Sequence, residues 1–362
     1  MDFINIVMTT EKLVRDSFEN QSYWCEKLGS PFTALLLQAL GKNLDKSTNT
    51  GNKILDWQGQ PDAMGDALAL RLAGALHGLV QTGRLPELEK LYPPSSLPSK
   101  KILTDAAVAA IVLRDEEICK WLDYPPQTNE IARSSILYAG LAEIVAQTDL
   151  SLSIFELGSS AGLNLLLDKF SYQFGEYKMG KANSLVKLKP KWNGSFPKRS
   201  MPQIITRHGC DLNPLDIKNE THKRRLLAYI WPDQPERLQR TKAAIKIALL
   251  DPPLIDKADA ADWVEENISL EAKSGVTRVL FHSITYQYFP LEVKGRILVH
   301  MEVTGEKATK DTPLAWLAFE QVEGHGACLT LRLWSGKAND GVLQILAIAN
   351  NAHVQKIEWL AL

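Results

Sequence analysis

Apolar residues recur at helical spacing through the first part of the chain and predict a helical region that ends near residue 147. Leucines at positions 68, 72, 76 and 79 fall on one face of a helix predicted over residues 66–80. A second helix is predicted over residues 31–41, with Ser30 as its N-cap, Pro31 in its first turn and Gly41 at its end. The same pattern predicts a third helix over residues 104–122 and a polar loop over residues 41–60.

Short apolar runs alternate with helical segments from residue 149 onward, which predicts a mainly parallel sheet covered by helices. Strands are predicted at residues 153–157, 203–211, 276–282, 314–322, 327–334 and 342–350, the last two as an antiparallel hairpin. Residues 255–260 fit either a short strand or a connection. Helices are predicted at residues 163–170, 222–230, 235–250, 262–268 and 291–304. The sequence therefore predicts an α/β protein, with a helical domain over residues 1–148 and a Rossmann-like domain over residues 149–362 that carries an insertion at residues 171–202.

One segment joins a strand to a helix through small residues and carries the main chemical signal. Glu156 ends the strand, and Gly158, Ser160 and Gly162 follow at alternate positions. Small residues let a ligand approach the backbone, and a turn that opens a helix points N–H groups and the positive end of the helix dipole outward. At the carboxyl edge of a parallel sheet, this combination predicts a nucleotide-type pocket.

Two chemistries fit this turn, and a packed turn without a ligand fits it as well. An acid followed by Gly, a small residue and Gly resembles the first motif of class I S-adenosylmethionine-dependent methyltransferases, with Ser160 in place of the middle glycine. The same residues fit the G-x-S-x-G nucleophile elbow of α/β-hydrolases, with Ser160, Asp259 and His353 in the order Ser, Asp, His. A hydrolase elbow follows several strands, whereas only helices are predicted before Ser153, so the pattern favours a methyltransferase-like sheet of seven strands with a final antiparallel hairpin.

On a methyltransferase-like fold, the position of each residue along the strands suggests its role toward S-adenosylmethionine. Asp211, at the end of the second predicted strand, is expected to hold the ribose hydroxyls, with Leu212 beside the adenine. The other residues expected near the cofactor are Glu156, Gly158, Ser160, Gly162 and Asn164 at the methionine end, and Asp259 and Ala260 near the adenine amino group. The expected reaction is methyl transfer to an O, N or C nucleophile that the protein holds in line with the sulfonium.

The acceptor is expected at the end of the fourth predicted strand. His282 lies there and is the candidate general base, because histidine titrates near neutral pH. A strand-end histidine bonded to a backbone carbonyl explains His282 equally well. Tyr286 is a second candidate catalytic residue, and Ser283 and Tyr288 are expected to line the acceptor pocket.

A polar helix start precedes the sheet and is predicted to form a wall of the pocket. If the helix that begins here runs antiparallel to the first strand, its N-terminus lies at the edge of the sheet that carries the glycine turn. Helical spacing would turn Asn129 and Arg133 onto one face, with Glu130 beside them. The alternative is a purely local role, in which Gln127 or Thr128 caps the helix and Glu130 pairs with Arg133.

Composition narrows the choice of partners. The formal net charge of −1 argues against a dedicated nucleic-acid binder. The insertion at 171–202 mixes aromatic residues with basic ones, Lys198 and Arg199 included, and it therefore fits a solvated hairpin or lid better than a nucleic-acid surface. The four cysteines are scattered and give no metal signature, which fits a reducing compartment. The first residues, Met1 to Asn5, lack the features of a signal peptide, and no apolar run approaches a membrane span. We therefore expect a cytoplasmic protein with a small-molecule ligand. The methyl acceptor, a small molecule or a macromolecule, and the oligomeric state stay open, and so does a non-catalytic role as a sensor or scaffold that binds the cofactor or another nucleotide.

Five segments together resemble the uncharacterised bacterial DUF2332 family over nearly the whole chain. The segments are Pro126–Glu130 with Arg133, Glu156–Leu165, Asp211 with Pro214 and Asp216, Trp231–Gln234 with Arg237, and His282-Ser283 with Tyr288. The resemblance implies a class I methyltransferase-type Rossmann domain behind a helical region, and it implies no established activity. The chain departs from the family near its C-terminus, where His353-Val354 stands in place of the usual His-Gly, which weakens any role for His353.

Overall fold

The structure is a computed structural model that describes residues 10–196, 200–268, 272–322, 324 and 326–361. Lys198 and Arg199 of the predicted insertion and the first nine residues lie outside the described residues. The chain divides into two compact units, the first made of residues 1–128 and 220–239 and the second of residues 129–219 and 240–362.

The first unit is built from helices, as the apolar periodicity predicts. A shared apolar core joins its helices, with Leu37, Leu40, Leu72 and Leu76 almost fully buried. The helices of its first segment are α1 (Thr10–Lys27), α2 (Pro31–Asn43), α3 (Asn49–Leu55), α4 (Leu68–Gln81), α5 (Pro86–Glu89), α6 (Lys100–Leu113) and α7 (Asp115–Trp121). Its second segment contains α9 (Glu220–Ala228) and the start of α10 (Pro235–Leu250).

Ser30 occupies the N-cap position of α2, as predicted, but a distant residue provides the capping hydrogen bonds. The Ser30 side chain makes no capping bond to the helix. Instead, Asp233 accepts hydrogen bonds from the Ser30 hydroxyl and from the Phe32 N–H, the latter at 2.8 Å. The helix also continues past Gly41, its predicted end, to Asn43. Gly41 lies where α2 packs on α1, since a Cβ there would lie 2.8 Å from the Cβ of Phe18.

Two further predictions for this unit were wrong. The polar segment 41–60 contains α3, whose first turn is held by Asp115: its carboxylate accepts hydrogen bonds from the N–H groups of Asn49 and Thr50 at 2.8 and 2.7 Å. The single helix predicted over residues 104–122 is two helices, since Arg114 leaves the helical conformation between α6 and α7. In both places a tertiary contact or a local break overrides composition.

The second unit contains a nine-stranded sheet and a three-stranded one. The strands are β1 (Ser151–Leu157), β2 (Ser171–Phe174), β3 (Tyr177–Gly180), β4 (Lys187–Leu188), β5 (Lys191–Gly194), β6 (Ile204–Asp211), β7 (Leu254–Lys257), β8 (Val276–Ser283), β9 (Leu314–Val322), β10 (Gly326–Trp334), β11 (Gln344–Ala349) and β12 (Lys356–Trp359). The large sheet has the order β5-β12-β11-β10-β9-β8-β1-β6-β7, and the small one the order β3-β2-β4.

The centre of the large sheet is parallel, and its antiparallel part follows it in the chain. Strands β7, β6, β1, β8 and β9 pair in parallel, and β10, β11 and β12 continue antiparallel. The α/β class is therefore confirmed, but the predicted seven-strand methyltransferase arrangement is not, since the sheet has nine strands. The two extra strands are β12 and β5, each only four residues long and too short for a periodic pattern.

Helices cover both faces of this sheet. On one face, α8 (Arg133–Thr148) approaches so closely that a Cβ on Gly140 would lie 2.8 Å from the Leu317 side chain of β9. On the other face, α11 (Ala260–Asn267) and α12 (Leu291–Glu306) bury Trp263, Ile297 and Met301 against the strands. None of the helices in the described ranges is long and apolar enough to cross a membrane.

The segment after β1 differs from its prediction. Residues Leu163–Lys169 form a 3₁₀ helix with a kink at Leu166, where an α-helix was predicted. The following insertion forms the β2–β3 hairpin. Its Tyr172 ring stacks on Tyr138 of α8 at 4.3 Å between centroids and on Phe174 at 5.9 Å. Tyr172 and Phe174 are buried, so these two rings belong to the core and not to a surface that could stack nucleic-acid bases.

Candidate functional site

The carboxyl ends of β1 and β8 meet at the point where the strand order reverses. From β1 the chain continues to β6 and β7 on one side and later returns to β8 and β9 on the other. In open parallel sheets, the loops diverge at such a point and leave a crevice beyond the strand ends where ligands bind. The turn that the sequence singles out, residues 158–162, follows β1 at this crevice.

The turn needs its small residues for backbone conformation and for packing. Gly158, Ser160 and Gly162 all have positive φ angles, of 64°, 55° and 67°. A Cβ on Gly158 would lie 2.8 Å from the Cβ of Thr285, and a Cβ on Gly162 would lie 2.7 Å from Ile255. Protein side chains therefore fill the space next to both glycines. The two glycines are needed for packing, whether or not a ligand also approaches the backbone here.

Several N–H groups of the turn, which were predicted to point at a ligand, are bonded within the protein. Asp211 accepts from the Ser160 N–H at 2.8 Å, and Asn129 accepts from the Leu163 N–H at 2.9 Å through its side-chain oxygen. The Gly162 N–H donates to the Ser159 carbonyl at 2.7 Å. Ligand recognition here must therefore rest mainly on side chains.

Two side chains at the turn are buried with unused hydrogen-bonding capacity. Glu156 is 2% exposed, and its Oε2 atom has no hydrogen-bond partner among the described residues. Burial raises the pKa of Glu156 well above its usual value; the Ser159 hydroxyl and the charge of Arg133 oppose this rise, and the charge of Asp211 adds to it. Ser160 is 5% exposed, and its hydroxyl also has no hydrogen-bond partner among the residues that the structure describes.

The polar segment before α8 lies against the turn, as predicted, although not by the predicted geometry. Asn129 contacts Leu163, and the Arg133 guanidinium donates to the backbone carbonyls of Ser283 and Ala352, each at 3.0 Å. Because α8 begins only at Arg133 and Ala132 is its N-cap, Asn129 reaches the turn from an irregular segment and not from a helical face. The N-cap position is occupied by Ala132 instead of the predicted Gln127 or Thr128, and Ala132 makes no side-chain capping bond.

Two neighbouring side chains complete this wall. Glu130 is buried and accepts from the Ala132 N–H at 3.0 Å and from the Arg240 guanidinium of α10 at 3.1 Å. Asn164 is buried and accepts from the Ser134 hydroxyl at 2.7 Å, which fastens the 3₁₀ helix to α8. The segment and the turn therefore form one rigid hydrogen-bonded unit.

The residues predicted to hold the ribose and adenine have structural partners of their own. Asp211 accepts from the Ser160 and Asn213 N–H groups, both at 2.8 Å, while Leu212 beside it is 63% exposed. Asp259 is the N-cap of α11 and accepts from the Ala261 N–H at 2.8 Å. Ala260 is the first residue of α11 and is buried in the core, which does not favour its predicted place beside an adenine.

His282 uses both ring nitrogens inside the protein. Its Nδ1 lies 2.7 Å from Oε1 of Glu320, and the Trp316 indole donates to its Nε2 at 3.0 Å. An indole N–H can only donate, so Nε2 acts as the acceptor and the proton resides on Nδ1. The ring is 1% exposed and stacks on Tyr286 at 4.8 Å. This geometry does not favour the predicted general base, and the partners of the ring are a carboxylate and an indole instead of the backbone carbonyl of the alternative.

The predicted site residues divide between the two faces of the sheet. Leu157 of β1 pairs with His282 of β8, and Glu156 pairs with Phe281, so the side chains of Glu156 and His282 point to opposite faces. Glu156 lies on the α8 face near Arg133, whereas His282 and Tyr286 lie on the face covered by α11 and α12. The Tyr286 hydroxyl donates to the Lys294 carbonyl at 3.0 Å, which fastens it to α12.

The other two residues predicted for the acceptor pocket differ in burial, since Ser283 is buried and Tyr288 is exposed. Ser283 ends β8, and its carbonyl is the group that accepts from Arg133. Tyr288 is 51% exposed.

The Ser, Asp, His order does not assemble a hydrolase triad in the described residues. The Ser160 hydroxyl has no hydrogen-bond partner there, Asp259 caps a helix, and the His353 N–H donates to Asn351 at 2.9 Å. A triad requires the serine to bond a histidine that a carboxylate orients in turn.

Sequence reasoning missed Glu320, which organises the loop after β8. Its Oε1 accepts from His282 and from the N–H groups of Thr285 and Tyr286, the last two at 3.1 Å. The signal was present, because Glu320 is an acid near the end of a predicted parallel strand, like Glu156 and Asp211. The positive φ of Ile284, 51°, had no sequence signal, since branched residues rarely adopt it.

Comparison with known proteins gives one match. A family model described as "Uncharacterized protein conserved in bacteria (DUF2332)" matches residues 15–359. A search of curated proteins and a search of solved structures each found no match.

Proposed function

The chain belongs to this bacterial family, and we propose that it binds S-adenosylmethionine in the crevice beyond β1 and transfers the methyl group to an acceptor that is itself unidentified. The support for a ligand at this place is chemical, and comes from the side chains around the turn. The choice of S-adenosylmethionine rests on the acid-Gly-Ser-Gly turn and on the parallel strands that carry it.

The observation that carries the proposal is the buried carboxyl group of Glu156 with its unpartnered Oε2. A buried carboxyl is costly unless a donor or a cation meets it. The ammonium group of a methionine moiety supplies both a charge and hydrogen-bond donors. The unpartnered Ser160 hydroxyl of the same turn can accept or donate a further bond. A ligand with an amino-acid end therefore completes the hydrogen bonding that the protein leaves open.

Backbone strain at the same crevice supports a binding role. Ser160 and Ile284 are non-glycine residues with positive φ, and they stand on the loops after β1 and β8. Each such residue costs about 1–3 kcal/mol, and this kind of strain clusters at ligand sites. Thr285, next to Ile284, packs on Gly158, so the two strained loops touch.

Two ligands that differ in one part test the assignment of Glu156. S-adenosylhomocysteine carries the amino-acid end, and methylthioadenosine lacks it. Loss of a charge-assisted bond costs about 1.5–3 kcal/mol, so Glu156→Gln should weaken S-adenosylhomocysteine about ten- to a hundredfold in calorimetry and leave methylthioadenosine unchanged. Glu176→Gln, an exposed acid in the β2–β3 turn, is the matched control and should bind both as wild type does. Equal weakening of both ligands by Glu156→Gln would refute the assignment.

A further inference from the structure

His282 and Glu320 form a buried pair whose hydrogen bonds lead away from the crevice of the proposed ligand and into the loop beside it. The donor from Trp316 fixes the proton of His282 on Nδ1, and this proton points at Oε1 of Glu320. Burial alone would raise the pKa of Glu320, but the bond from His282 and the two backbone N–H groups hold it below its usual value. Glu320 is therefore an anion whose Oε1 receives all three donors, while its Oε2 has no hydrogen-bond partner among the described residues.

The loop that Glu320 holds is strained. Ile284 has φ of 51°, in a region that branched side chains rarely occupy, and its N–H donates to the Phe319 carbonyl at 2.8 Å. The next two N–H groups, of Thr285 and Tyr286, both donate to Glu320. A conformation of this kind persists only where the surroundings fix it, and the carboxylate supplies that restraint.

The same loop reaches the glycine turn. The Thr285 side chain fills the space next to Gly158. A Cβ added to Gly158 would lie 2.8 Å from the Cβ of Thr285. Tyr286 stacks on His282 at 4.8 Å and so closes the loop from the other side. A chain of direct contacts thus runs from Trp316 through His282 and Glu320 to the turn that borders Glu156.

We propose that Glu320 and His282 are positioning residues, which hold loop 284–286 against the glycine turn and thereby set the shape and affinity of the crevice. The identity of the ligand in this inference rests on the proposed function. The restraint that Glu320 places on loop 284–286 does not. His282 then acts through Glu320 as the donor that orients its carboxylate, and neither side chain needs to touch the ligand.

The test compares Glu320→Ala with the conservative Glu320→Gln in the full chain. Glu320→Ala removes the acceptor of two N–H groups, so amide exchange at Thr285 and Tyr286 should accelerate about tenfold or more. The affinity for S-adenosylhomocysteine should fall about tenfold or more, since a misplaced wall degrades binding geometry. Glu320→Gln keeps one oxygen at the same place and should restore much of both. Leu346→Ala, a cavity variant in β11, controls for a general loss of stability and should change neither readout at the loop.

Each possible outcome either supports or contradicts the inference. If Glu320→Ala leaves exchange at Thr285 and Tyr286 at the wild-type rate, the carboxylate does not hold the loop and the inference is wrong. If exchange accelerates and affinity stays the same, the loop does not shape the crevice, and the inference is wrong in its second half. If wild type binds no S-adenosylhomocysteine, the proposed function fails, and the exchange rates still decide whether the pair positions the loop. Equal acceleration of exchange and equal loss of affinity in Leu346→Ala and Glu320→Ala would also overturn the inference.

Discussion

The buried carboxyl of Glu156 should make the stability of the unliganded protein fall as the pH rises. Its pKa in the folded state is raised above its unfolded value, chiefly by burial. Between these two values, the folded state retains a proton that the unfolded state has lost. Linkage then lowers the free energy of unfolding by up to about 1.4 kcal/mol per pH unit, beginning at about pH 4.3, the unfolded pKa of a glutamate, and ending at the folded pKa.

Glu156→Gln removes this titration and keeps the size of the side chain. The free energy of unfolding of the variant, relative to wild type, should therefore increase with pH across the same window and level off above the folded pKa of Glu156. The amide also leaves a polar group buried, so the absolute difference at pH 4 can have either sign, and the slope is the informative quantity.

Urea denaturation without ligand, at half-unit steps from pH 4.5 to about 8, measures this slope directly. Glu176→Gln, which changes an exposed acid of the same unit, corrects for the general effect of one lost charge. If the curves of wild type and Glu156→Gln stay parallel over this whole range, the carboxyl titrates alike in both states, and the argument from burial is refuted.

Three further substitutions test other parts of the account. Asp233→Ala should lower the free energy of unfolding by about 1–2 kcal/mol, because it removes the capping bonds of α2, and it should leave the affinity for S-adenosylhomocysteine unchanged. A loss below about 0.5 kcal/mol, the usual effect of a surface substitution, would contradict the capping role. Gly158→Val should fail to give a cooperatively folded protein by circular dichroism, because the branched residue meets both a positive φ and Thr285, and a native melting curve would contradict this. Asp211→Ala should weaken S-adenosylhomocysteine about a hundredfold, or about 2–3 kcal/mol; unchanged affinity would make Asp211 a turn residue alone.

The sequence was most informative where one face or both faces of an element are buried. The strand at residues 314–322 was predicted with the bounds that the structure gives, and the strand predicted at 276–282 extends by one residue, because apolar character runs through both. Strands β5 and β12 could not be predicted, since four residues give no period and their place at the sheet edge depends on pairing between distant segments.

The candidate site was foreseeable in its position and less so in its contacts. An acid at a strand end followed by alternate small residues locates the crevice, and the short helix-to-strand connection places Arg133 and Asn129 beside it. The contacts of His282 with Trp316 and Glu320 depend on the register of β8 against β9, which no local pattern in the sequence specifies. The same holds for the unpartnered oxygen of Glu156, which is a property of the packed environment.

Binding of S-adenosylhomocysteine to the wild-type chain tests the central proposal most directly. Calorimetry should give saturable binding of one ligand per chain in the micromolar range. A ligand present at a hundred times its dissociation constant should then raise the free energy of unfolding by about 2.7 kcal/mol in urea denaturation. Absence of heat and of stabilisation at millimolar ligand would contradict the proposal that the crevice beyond β1 holds S-adenosylmethionine.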